Sequence, residues 1–416
     1  MSKQQFKDKS IYEYPERIAR TWKLFEKELS KETCQVIKGY EIAMYKDSLA
    51  LATQHKQLQT LLNLCRMLKK DWNDVISSDI DSLIVTITQT YSDERGLETH
   101  TSHDHKKILK IFFRWFKLGS RSKILVGDPQ ETKMVRVKNV PDKIVREDLI
   151  DDTDLPKLLK ACTGNARDRA LIAVHYEAGT RAGELLSLKL KHVKFDNVGA
   201  IIHVDGKTGT RPIRLITSVP YLSQWYNAHP FKEDQNYPLW IVLKDGKFGQ
   251  PLGYSAARVI FQRRAAQAKL GKRVYMHIFR HGEATRTANY MTDAQMRKRH
   301  GWSANSTMPS KYSHLVNADV ERVVLEQHGI IKPKSRDAIV PIVCNICKTP
   351  NANDAAVCEQ CGKPLSEEES HRIDKIEAEK LAMNQAKHNK EMDEMRINQA
   401  KIMKALKIQN ESEIYE

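Results

Sequence analysis

The sequence has no run of apolar residues that approaches the ~20 needed for a membrane-spanning helix. Its first ten residues, MSKQQFKDKS, have no apolar core, and we therefore expect no secretory signal. Aromatic residues make up only 7% of the 416 positions, but apolar residues reach 41% and charged residues 29%. This composition excludes collagen-like, mucin-like and wholly disordered chains. At roughly 100–200 residues per domain, the length predicts two or three domains.

Acidic residues are in the minority. The chain has 68 Lys and Arg against 52 Asp and Glu, which gives a net charge of +16. Residues 366–416 carry nine basic and twelve acidic residues, so the rest of the chain carries about +19. An excess of this size favours a polyanionic partner, most simply double-stranded DNA, over a purely solubilising role.

Hydrophobic spacing divides the chain into segments. Apolar residues recur with helical period up to Leu118, which predicts a bundle of four or five helices over residues 1–118. Residues 119–141 hold Gly127, Pro129 and Pro141 among basic residues and indicate a linker. Its cations either follow DNA phosphates or are simply exposed.

Residues 142–332 change period along their length. Helical patterns flank two short β-type runs, Ala200–Val204 and Arg211–Ile216, which indicate a hairpin, and Leu239–Leu243 is a further possible strand. Residues 340–365 hold a cysteine module. Residues 366–416 predict an exposed charged helix with a broken heptad, at most a weak coiled coil. The predicted fold class is α+β, mainly α, with a small antiparallel sheet.

Five polar residues of the segment 142–332, called the second body below, fit one chemistry. Two guanidiniums can neutralise a phosphoryl transition state, a phenol can act as nucleophile, and Lys and His can move protons. Near these residues we find no acidic cluster suited to Mg²⁺ and no Walker-type loop, which argues against an ATPase or a two-metal nuclease. The five are Arg181, Lys207, His277, Arg280 and Tyr312.

These residues lie in segments that resemble the ordered boxes of tyrosine recombinases, the family of phage integrases and Xer-type resolvases. Ala178–Leu188 (AGTRAGELLSL) resembles the first arginine box, and Gly206–Gly209 (GKTG) the β-hairpin lysine. His277–His281 (HIFRH) resembles the His-x-x-Arg-His box. Gly301–Ser303 (GWS) followed by Lys311–His314 (KYSH) resembles the tyrosine box. The resemblance covers roughly residues 14–329, and it implies that the helical bundle is a core-binding domain that grips DNA.

The resemblance implies a role for each residue. Arg181 and Arg280 clamp the scissile phosphate, and Tyr312 attacks it to form a 3′-phosphotyrosine. Lys207 is the general acid for the 5′-hydroxyl leaving group, and His277 assists proton transfer. Each residue alone also has a structural explanation, such as a salt bridge from Arg181 to Glu184; the order of the boxes favours the catalytic interpretation.

Two positions depart from the family pattern. Trp302 stands where the family usually has His in its Gly-His-Ser step, and Phe279 replaces the common Leu of the second box. His300 is the alternative to Trp302, but its spacing to Tyr312 fits less well. His281 is expected to support the site.

A group of basic residues surrounds the helix that precedes the second box. They either hold the DNA backbone or form a solvated face. The group consists of Arg258, Arg263, Arg264, Lys269, Lys272 and Arg273.

Four of the seven cysteines form two CxxC pairs. Cys344 and Cys347 make the first pair, and Cys358 and Cys361 the second. This spacing predicts a tetrahedral Cys₄ structural zinc site of the zinc-ribbon type, with no position open for catalysis. A disulfide module is the alternative, which a reducing compartment would disfavour. The other three cysteines share no spacing and are expected to be packing residues.

The resemblance implies a site-specific DNA recombinase, most simply the integrase of a mobile element such as an archaeal virus or provirus. It would act as a homotetramer through a Holliday junction, without ATP, nucleotide or catalytic metal, and in the cytoplasm, on the DNA of a prokaryotic cell or virus. The rivals are a chromosome or plasmid resolvase with the same chemistry and a DNA-binding regulator without activity. A zinc-ribbon transcription factor would leave the four ordered boxes unexplained.

Overall fold

The computed structural model of the chain describes residues 11–140, 146–206, 209–313, 324–325, 328–330, 341–352 and 355–412. The chain divides into two compact units: Met1–Asp148 with Ile241–Val259, and Leu149–Trp240 with Ile260–Glu416. Among the helices of the described ranges, none is both long and apolar enough to cross a membrane.

The first unit is built from five main helices. Side-chain caps start two of them: Ser30 accepts a hydrogen bond from the Thr33 amide, and Thr99 accepts one from the Ser102 amide. The fifth helix ends at Gly119, whose φ of 73° is the left-handed conformation of a helix C-cap. The helices are α1 (Tyr14–Glu28), α2 (Lys31–Lys46), α3 (Leu51–Leu68), α4 (Ser77–Tyr91) and α5 (His100–Leu118).

An aromatic cluster on α5 forms the centre of this unit. Phe112 and Phe113 are fully buried, and the Phe112 ring centroid lies 4.8 Å from that of Trp72. Trp115 packs so closely on Gly39 that a Cβ there would lie 3.1 Å from the indole ring. The predicted helical bundle is therefore present, with its core where the apolar spacing of α5 indicated.

Residues 119–140 contain two short helices, α6 (Lys123–Val126) and α7 (Gln130–Lys133), that are tied to the bundle. Asp128 accepts a hydrogen bond from Arg114 at 2.7 Å and pairs with Lys110 at 3.1 Å. Arg121 is one of the linker cations expected either to follow DNA phosphates or to be simply exposed, but it pairs with Asp47 at 2.7 Å. This part of the predicted linker is consequently a structured part of the first unit.

Up to Ser313, the second unit is mainly helical and packs around a three-stranded sheet. Its helices are α8 (Asp154–Lys160), α9 (Ala166–Ala178), α10 (Ala182–Leu186), α11 (Val219–Asn227), α12 (Tyr254–Gln267), α13 (Met276–Ala288), α14 (Asp293–His300) and α15 (Met308–Ser313). The division between the two units falls within α12. Its strands are β1 (Val193–Asp196), β2 (Gly199–Gly206) and β3 (Gly209–Leu215).

The sheet is antiparallel in the order β1-β2-β3, and it contains the predicted hairpin. The β2–β3 pair closes at Gly206 opposite Gly209. On β3 the side chains of Arg211, Ile213 and Leu215 are buried, so alternate residues face the interior. One buried position on this face therefore belongs to an arginine.

The strand expected at Leu239–Leu243 is wrong. The segment makes only an isolated bridge from Ile241 to Pro251, although Leu239 and Trp240 are fully buried. The Trp240 indole donates to the Leu185 carbonyl at 2.9 Å. This apolar run is thus a buried loop anchored by its side chains, which period alone does not distinguish from a short strand.

The last described segments follow the expected order. A two-stranded ladder, β4 (Ile342–Val343) with β5 (Pro350–Asn351), holds the cysteine module, and helix α16 (Glu367–Ser412) follows it. Apolar side chains on α16 such as Leu381 and Met395 are 60% and 54% exposed. The predicted fold class, mainly α with a small antiparallel sheet, is confirmed.

Three histidines of the second unit are buried, with exposed fractions of 0–2%. Burial lowers the pKa of His175 to about 4, that of His229 to about 4 and that of His300 to about 2. All three are therefore neutral in the folded chain at pH 5, where the unfolded chain protonates them.

We expect the free energy of unfolding of the second unit to fall as the pH drops below ~6.5. Below this pH the histidines bind protons in the unfolded state but not in the folded state. The free energy of unfolding then falls by up to about 1.4 kcal/mol per histidine and pH unit. Urea unfolding followed by tryptophan fluorescence between pH 7.5 and 5 measures this slope. His229→Gln should make the slope shallower, whereas His388→Gln on exposed α16 should not; equal slopes for both variants would contradict the interpretation.

Candidate active site

Two helices end in left-handed glycines next to the predicted arginines. Helix α9 ends at Gly179, with a φ of 57°, and α14 ends at Gly301, with a φ of 59°. Arg280 donates from Nη1 to the Gly179 carbonyl at 3.0 Å and from Nη2 to the His300 carbonyl at 2.6 Å. Arg181 donates from Nη2 to the Gly301 carbonyl at 3.0 Å. Helix C-terminal carbonyls therefore hold both guanidiniums, and they favour positive charge.

The two arginines differ in exposure. Arg280 is 3% exposed, whereas the side chain of Arg181 keeps 33% of its surface open to solvent. Burial, with the Arg181 charge second, lowers the pKa of Arg280 to about 10, so it remains cationic at neutral pH. Two neighbouring cations of this kind form a site for an oxyanion.

A buried carboxylate lies beneath Arg181. Glu184 is 3% exposed, and its Oε1 accepts from Arg181 Nη1 at 2.7 Å. Arg211 on β3 donates to the same carboxylate from Nη1 and Nη2, at 3.1 and 2.8 Å. Burial alone would raise the pKa of Glu184, but the hydrogen bonds from Arg211 and Arg181 hold it below its usual value.

Arg211 is a residue of this site that none of the sequence motifs predicts. The alternation of side chains along β3 indicates that Arg211 is buried, because it lies on the same face of the strand as the buried Ile213 and Leu215. An arginine on the inward face of a strand needs an acidic partner.

Tyr312 lies on α15 and is 4% exposed. Its hydroxyl is 2.8 Å from Nδ1 of His281, a hydrogen-bond distance. Its ring stacks on Trp302, with centroids 5.7 Å apart and planes 7° apart. Arg280 in turn lies over the Trp302 ring at 5.6 Å. Tyr312 therefore contacts His281 through its hydroxyl and Trp302 through its ring, and Trp302 also contacts Arg280.

The histidines of the second and third boxes differ in position. His277 is exposed one turn before His281 on α13, with ring centroids 4.4 Å apart. His281, expected only to support the site, is the one that contacts the Tyr312 hydroxyl. His300 is fully buried with Nε2 3.0 Å from the Thr287 hydroxyl, whereas Trp302 stacks on the Tyr312 ring.

Lys207 lies outside the described residues. The described part of strand β2 ends at Gly206, and strand β3 begins at Gly209.

A second ionic cluster supports the glycine at the end of α9. Glu283 is 4% exposed and accepts hydrogen bonds from Arg286 at 2.7 Å and Arg299 at 2.8 Å. A Cβ at Gly179 would lie 2.6 Å from Glu283 Cγ, so only glycine fits there. Glu283 therefore packs against Gly179, whose carbonyl accepts the hydrogen bond from Arg280.

Part of the basic group near α12 is already paired. Arg264 donates to the fully buried Asp168 at 2.6 Å, and Lys272 donates to Asp154 at 2.7 Å. Their expected role on the DNA backbone does not fit these surroundings, because moving them would strip a buried carboxylate of its partner.

The four module cysteines converge as their spacing predicted. Their sulfurs all lie within 4.8 Å of one another. Two knuckle turns present them, each ending in a left-handed residue, Lys348 with a φ of 59° and Gly362 with a φ of 71°. Buried Asn351 donates to the Thr349 carbonyl at 2.8 Å and accepts from the Glu359 amide at 2.9 Å, which ties the two knuckles together. This arrangement is compatible with a structural metal site.

Part of the chain is similar to known proteins. Residues 149–318 match the model of the phage integrase family. Transposase A from transposon Tn554 of Staphylococcus aureus is 27% identical over 179 residues, 40% of this chain and 49% of the transposase. The chain thus spans about half the length of that relative. Tyrosine recombinase XerC of Escherichia coli is 25% identical over 268 residues, 62% of this chain and 85% of XerC.

The fold agrees with the sequence match. A lambda integrase tetramer bound to a Holliday junction has a TM-score of 0.51 at 16% identity, covering 67% of this chain and 76% of that chain. Residues 149–318 are therefore similar to the phage integrase family, and the wider similarity to XerC supports a tyrosine recombinase.

Proposed function

We propose that the chain is a site-specific DNA recombinase that cuts and rejoins DNA through a phosphotyrosine at Tyr312. One observation carries the proposal: the Tyr312 hydroxyl lies 2.8 Å from an imidazole nitrogen of His281, in a body that also holds Arg181 and Arg280 as neighbouring cations. A nucleophile with an adjacent base beside an oxyanion site is the arrangement that acyl or phosphoryl transfer requires. The similarity of residues 149–318 to the phage integrase family favours phosphoryl transfer on DNA.

The arginine pair accounts for phosphate binding. The non-bridging oxygens of a phosphodiester gain negative charge in the transition state, and guanidiniums neutralise them with forked hydrogen bonds. Arg280 is fixed by two carbonyls, and Arg181 keeps a third of its surface open toward solvent. The pair is therefore preorganised, which stabilises the transition state without reorganisation cost during the reaction.

The remaining groups account for proton transfer. Neutral His281 accepts the phenol proton at Nδ1 as the Tyr312 oxygen attacks phosphorus. The bond from phosphorus to the 5′ oxygen breaks, and we assign Lys207 to protonate that oxygen, with His277 assisting. The phosphotyrosine ester conserves the bond energy, so religation by another 5′-hydroxyl reverses the step and requires no ATP.

The proposed partner is double-stranded DNA. The excess of about +19 outside residues 366–416 supports it. We propose that residues 1–118 grip the duplex, that 119–141 connect the two bodies, and that 142–332 carry the chemistry. Relatives named for a transposon and for lambda favour an integrase, and the XerC match keeps a resolvase as the alternative. The lambda integrase tetramer supports a tetramer that works through a Holliday junction, on the DNA of a prokaryotic cell or virus.

Covalent trapping tests the nucleophile. Wild type is incubated in magnesium-free buffer with nicked duplexes or supercoiled DNA that carries the sequences flanking its own gene, and denaturant-resistant adducts are mapped by peptide sequencing. We expect an adduct at Tyr312 and none with Tyr312→Phe, because the variant lacks the attacking oxygen. Removing the base by His281→Ala should slow the adduct by about 10²-fold or more.

Tyr290→Phe is the matched control for trapping, since this tyrosine of the same body is 51% exposed. It should form adducts at the wild-type rate. Tight DNA binding with no adduct on any substrate would refute the recombinase and favour a DNA-binding regulator.

We infer that the cysteine module holds one structural Zn²⁺. Four thiolates at this spacing match the tetrahedral preference of zinc and leave no coordination position for substrate. The module is too short to bury a core of its own, so metal binding would supply its folding energy.

The zinc proposal predicts one Zn²⁺ per chain by elemental analysis, lost in Cys358→Ser. Lys348→Gly should retain the metal and bind it at least as tightly, because glycine takes the left-handed conformation of this knuckle without the ~1 kcal/mol cost of a side chain. Competition with a chromophoric chelator compares the two. A wild-type chain that contains no zinc and in which the four cysteines of the module form two disulfides would contradict the proposal.

A further inference from the structure

We propose that Arg211 is a positioning residue that keeps Arg181 available for phosphate by sharing the Glu184 carboxylate, so that Arg181 alone does not have to balance its charge. This inference rests on the proposed recombinase function and adds a residue that the ordered boxes do not include. Arg211 donates two hydrogen bonds to the Glu184 carboxylate, so we infer that its effect passes through Glu184.

Arg211 joins three elements of the site. It is 7% exposed on β3 and donates twice to Glu184 on α10. Its Nε donates to the Arg299 carbonyl in the last turn of α14 at 2.8 Å. The hairpin, the first arginine box and the start of the third box are thus connected through one guanidinium.

Two glycines leave room for this connection. A Cβ at Gly301 would lie 2.5 Å from Arg211 Nη1, and a Cβ at Gly206 would lie 2.4 Å from Glu184 Oε1. Gly206 directly precedes Lys207, and Gly301 directly precedes Trp302. The glycines of the hairpin and the third box therefore both fit against the Arg211–Glu184 pair.

The carboxylate divides its lone pairs between the two arginines. Oε1 accepts from Arg181 Nη1 at 2.7 Å and from Arg211 Nη1 at 3.1 Å, and Oε2 accepts from Arg211 Nη2 at 2.8 Å and from the Arg181 amide at 2.9 Å. Without Arg211, a buried carboxylate would have the Arg181 guanidinium as its remaining charged partner in this group. It would then compete with the DNA phosphate for that guanidinium, because an unpaired buried charge seeks the nearest counterion.

The same strand offers a matched control. Arg214 is three residues further along β3 and pairs with Asp196 at 2.7 Å. Both side chains are more than one third exposed, at 39% and 38%. A surface pair of this kind contributes little to stability, so Arg214→Met removes an arginine from β3 without disturbing Glu184.

The experiment measures the rate of covalent adduct formation by the full chain on a nicked duplex. We expect Arg211→Met to lower the rate by about 10²-fold, the size of a lost positioning contact, and Arg214→Met to stay within about twofold. Glu184→Gln in the Arg211→Met background should recover at least tenfold, because it removes the competing charge. A purely structural role predicts that the second substitution adds damage.

The pH profile gives an independent readout. A buried carboxylate that has lost its partner has a raised pKa, so falling pH protonates Glu184 and frees Arg181. The ratio of the Arg211→Met rate to the wild-type rate should therefore rise between pH 7.5 and 5.5. Arg211→Lys, which keeps the charge but not the fork, should lose less activity than Arg211→Met and show a flatter ratio.

The outcomes separate this inference from the function on which it rests. A wild type that forms no adduct overturns both. A wild type that forms the adduct, combined with an Arg211→Met rate near wild type, overturns the inference alone. So does a loss in folded Arg211→Met that Glu184→Gln does not relieve and whose pH ratio is flat. If circular dichroism shows that Arg211→Met does not fold, Arg211→Lys tests the inference instead. Wild-type-like activity of Arg211→Lys at all pH values would show that the two hydrogen bonds from Arg211 to Glu184 are not needed, and would overturn the inference.

Discussion

Buried positive charge is the constraint around which the second unit is organised. Taking a guanidinium out of water costs several kcal/mol unless an anion or carbonyl replaces the lost hydration. Three carboxylates provide that replacement, each shared by more than one arginine: Glu184, Glu283 and Asp168, with exposed fractions of 3%, 4% and 0%. Sharing leaves each cluster with a net positive charge. At the Glu184 cluster, that surplus lies at Arg181 beside Arg280, which is the charge that a phosphate would meet.

Helix ends supply the rest of the compensation. The carbonyls at the C-termini of α9 and α14 have no partner within their helices, and both point at Arg280. This is possible because Gly179 turns the chain in the left-handed conformation at a place where Glu283 leaves no space for a Cβ. The packing of Glu283 and the hydrogen bond of Arg280 therefore both depend on Gly179. A rigid clamp of this kind is expected where the position of a phosphate decides the rate.

The sequence allowed the helices, the hairpin and the cysteine module to be predicted because each depends on local spacing. The helical period of α5 and the two CxxC pairs needed no knowledge of distant residues. The role of His281 did depend on such knowledge, because its partner Tyr312 lies 31 residues further along the chain. The pairing of Arg264 with Asp168, separated by 96 residues, was equally invisible, so a buried cation was interpreted as a surface one. Arg211 is intermediate: strand alternation indicates that it is buried, but only the tertiary structure identifies Glu184 as the reason.

The clusters also bear on what the net charge means. Seven arginines share the three carboxylates, which accounts for four positive charges of the excess of about +19 outside the tail. Most of the excess therefore belongs to residues outside these clusters, where it acts on any phosphate backbone irrespective of sequence. In the proposed function, Arg181 and Arg280 would bind a single phosphate and so would contribute little to such affinity. In the proposed recombinase, separate sets of cations would therefore carry DNA affinity and cleavage, so a substitution in the Glu184 cluster would abolish the chemistry and leave DNA binding in place.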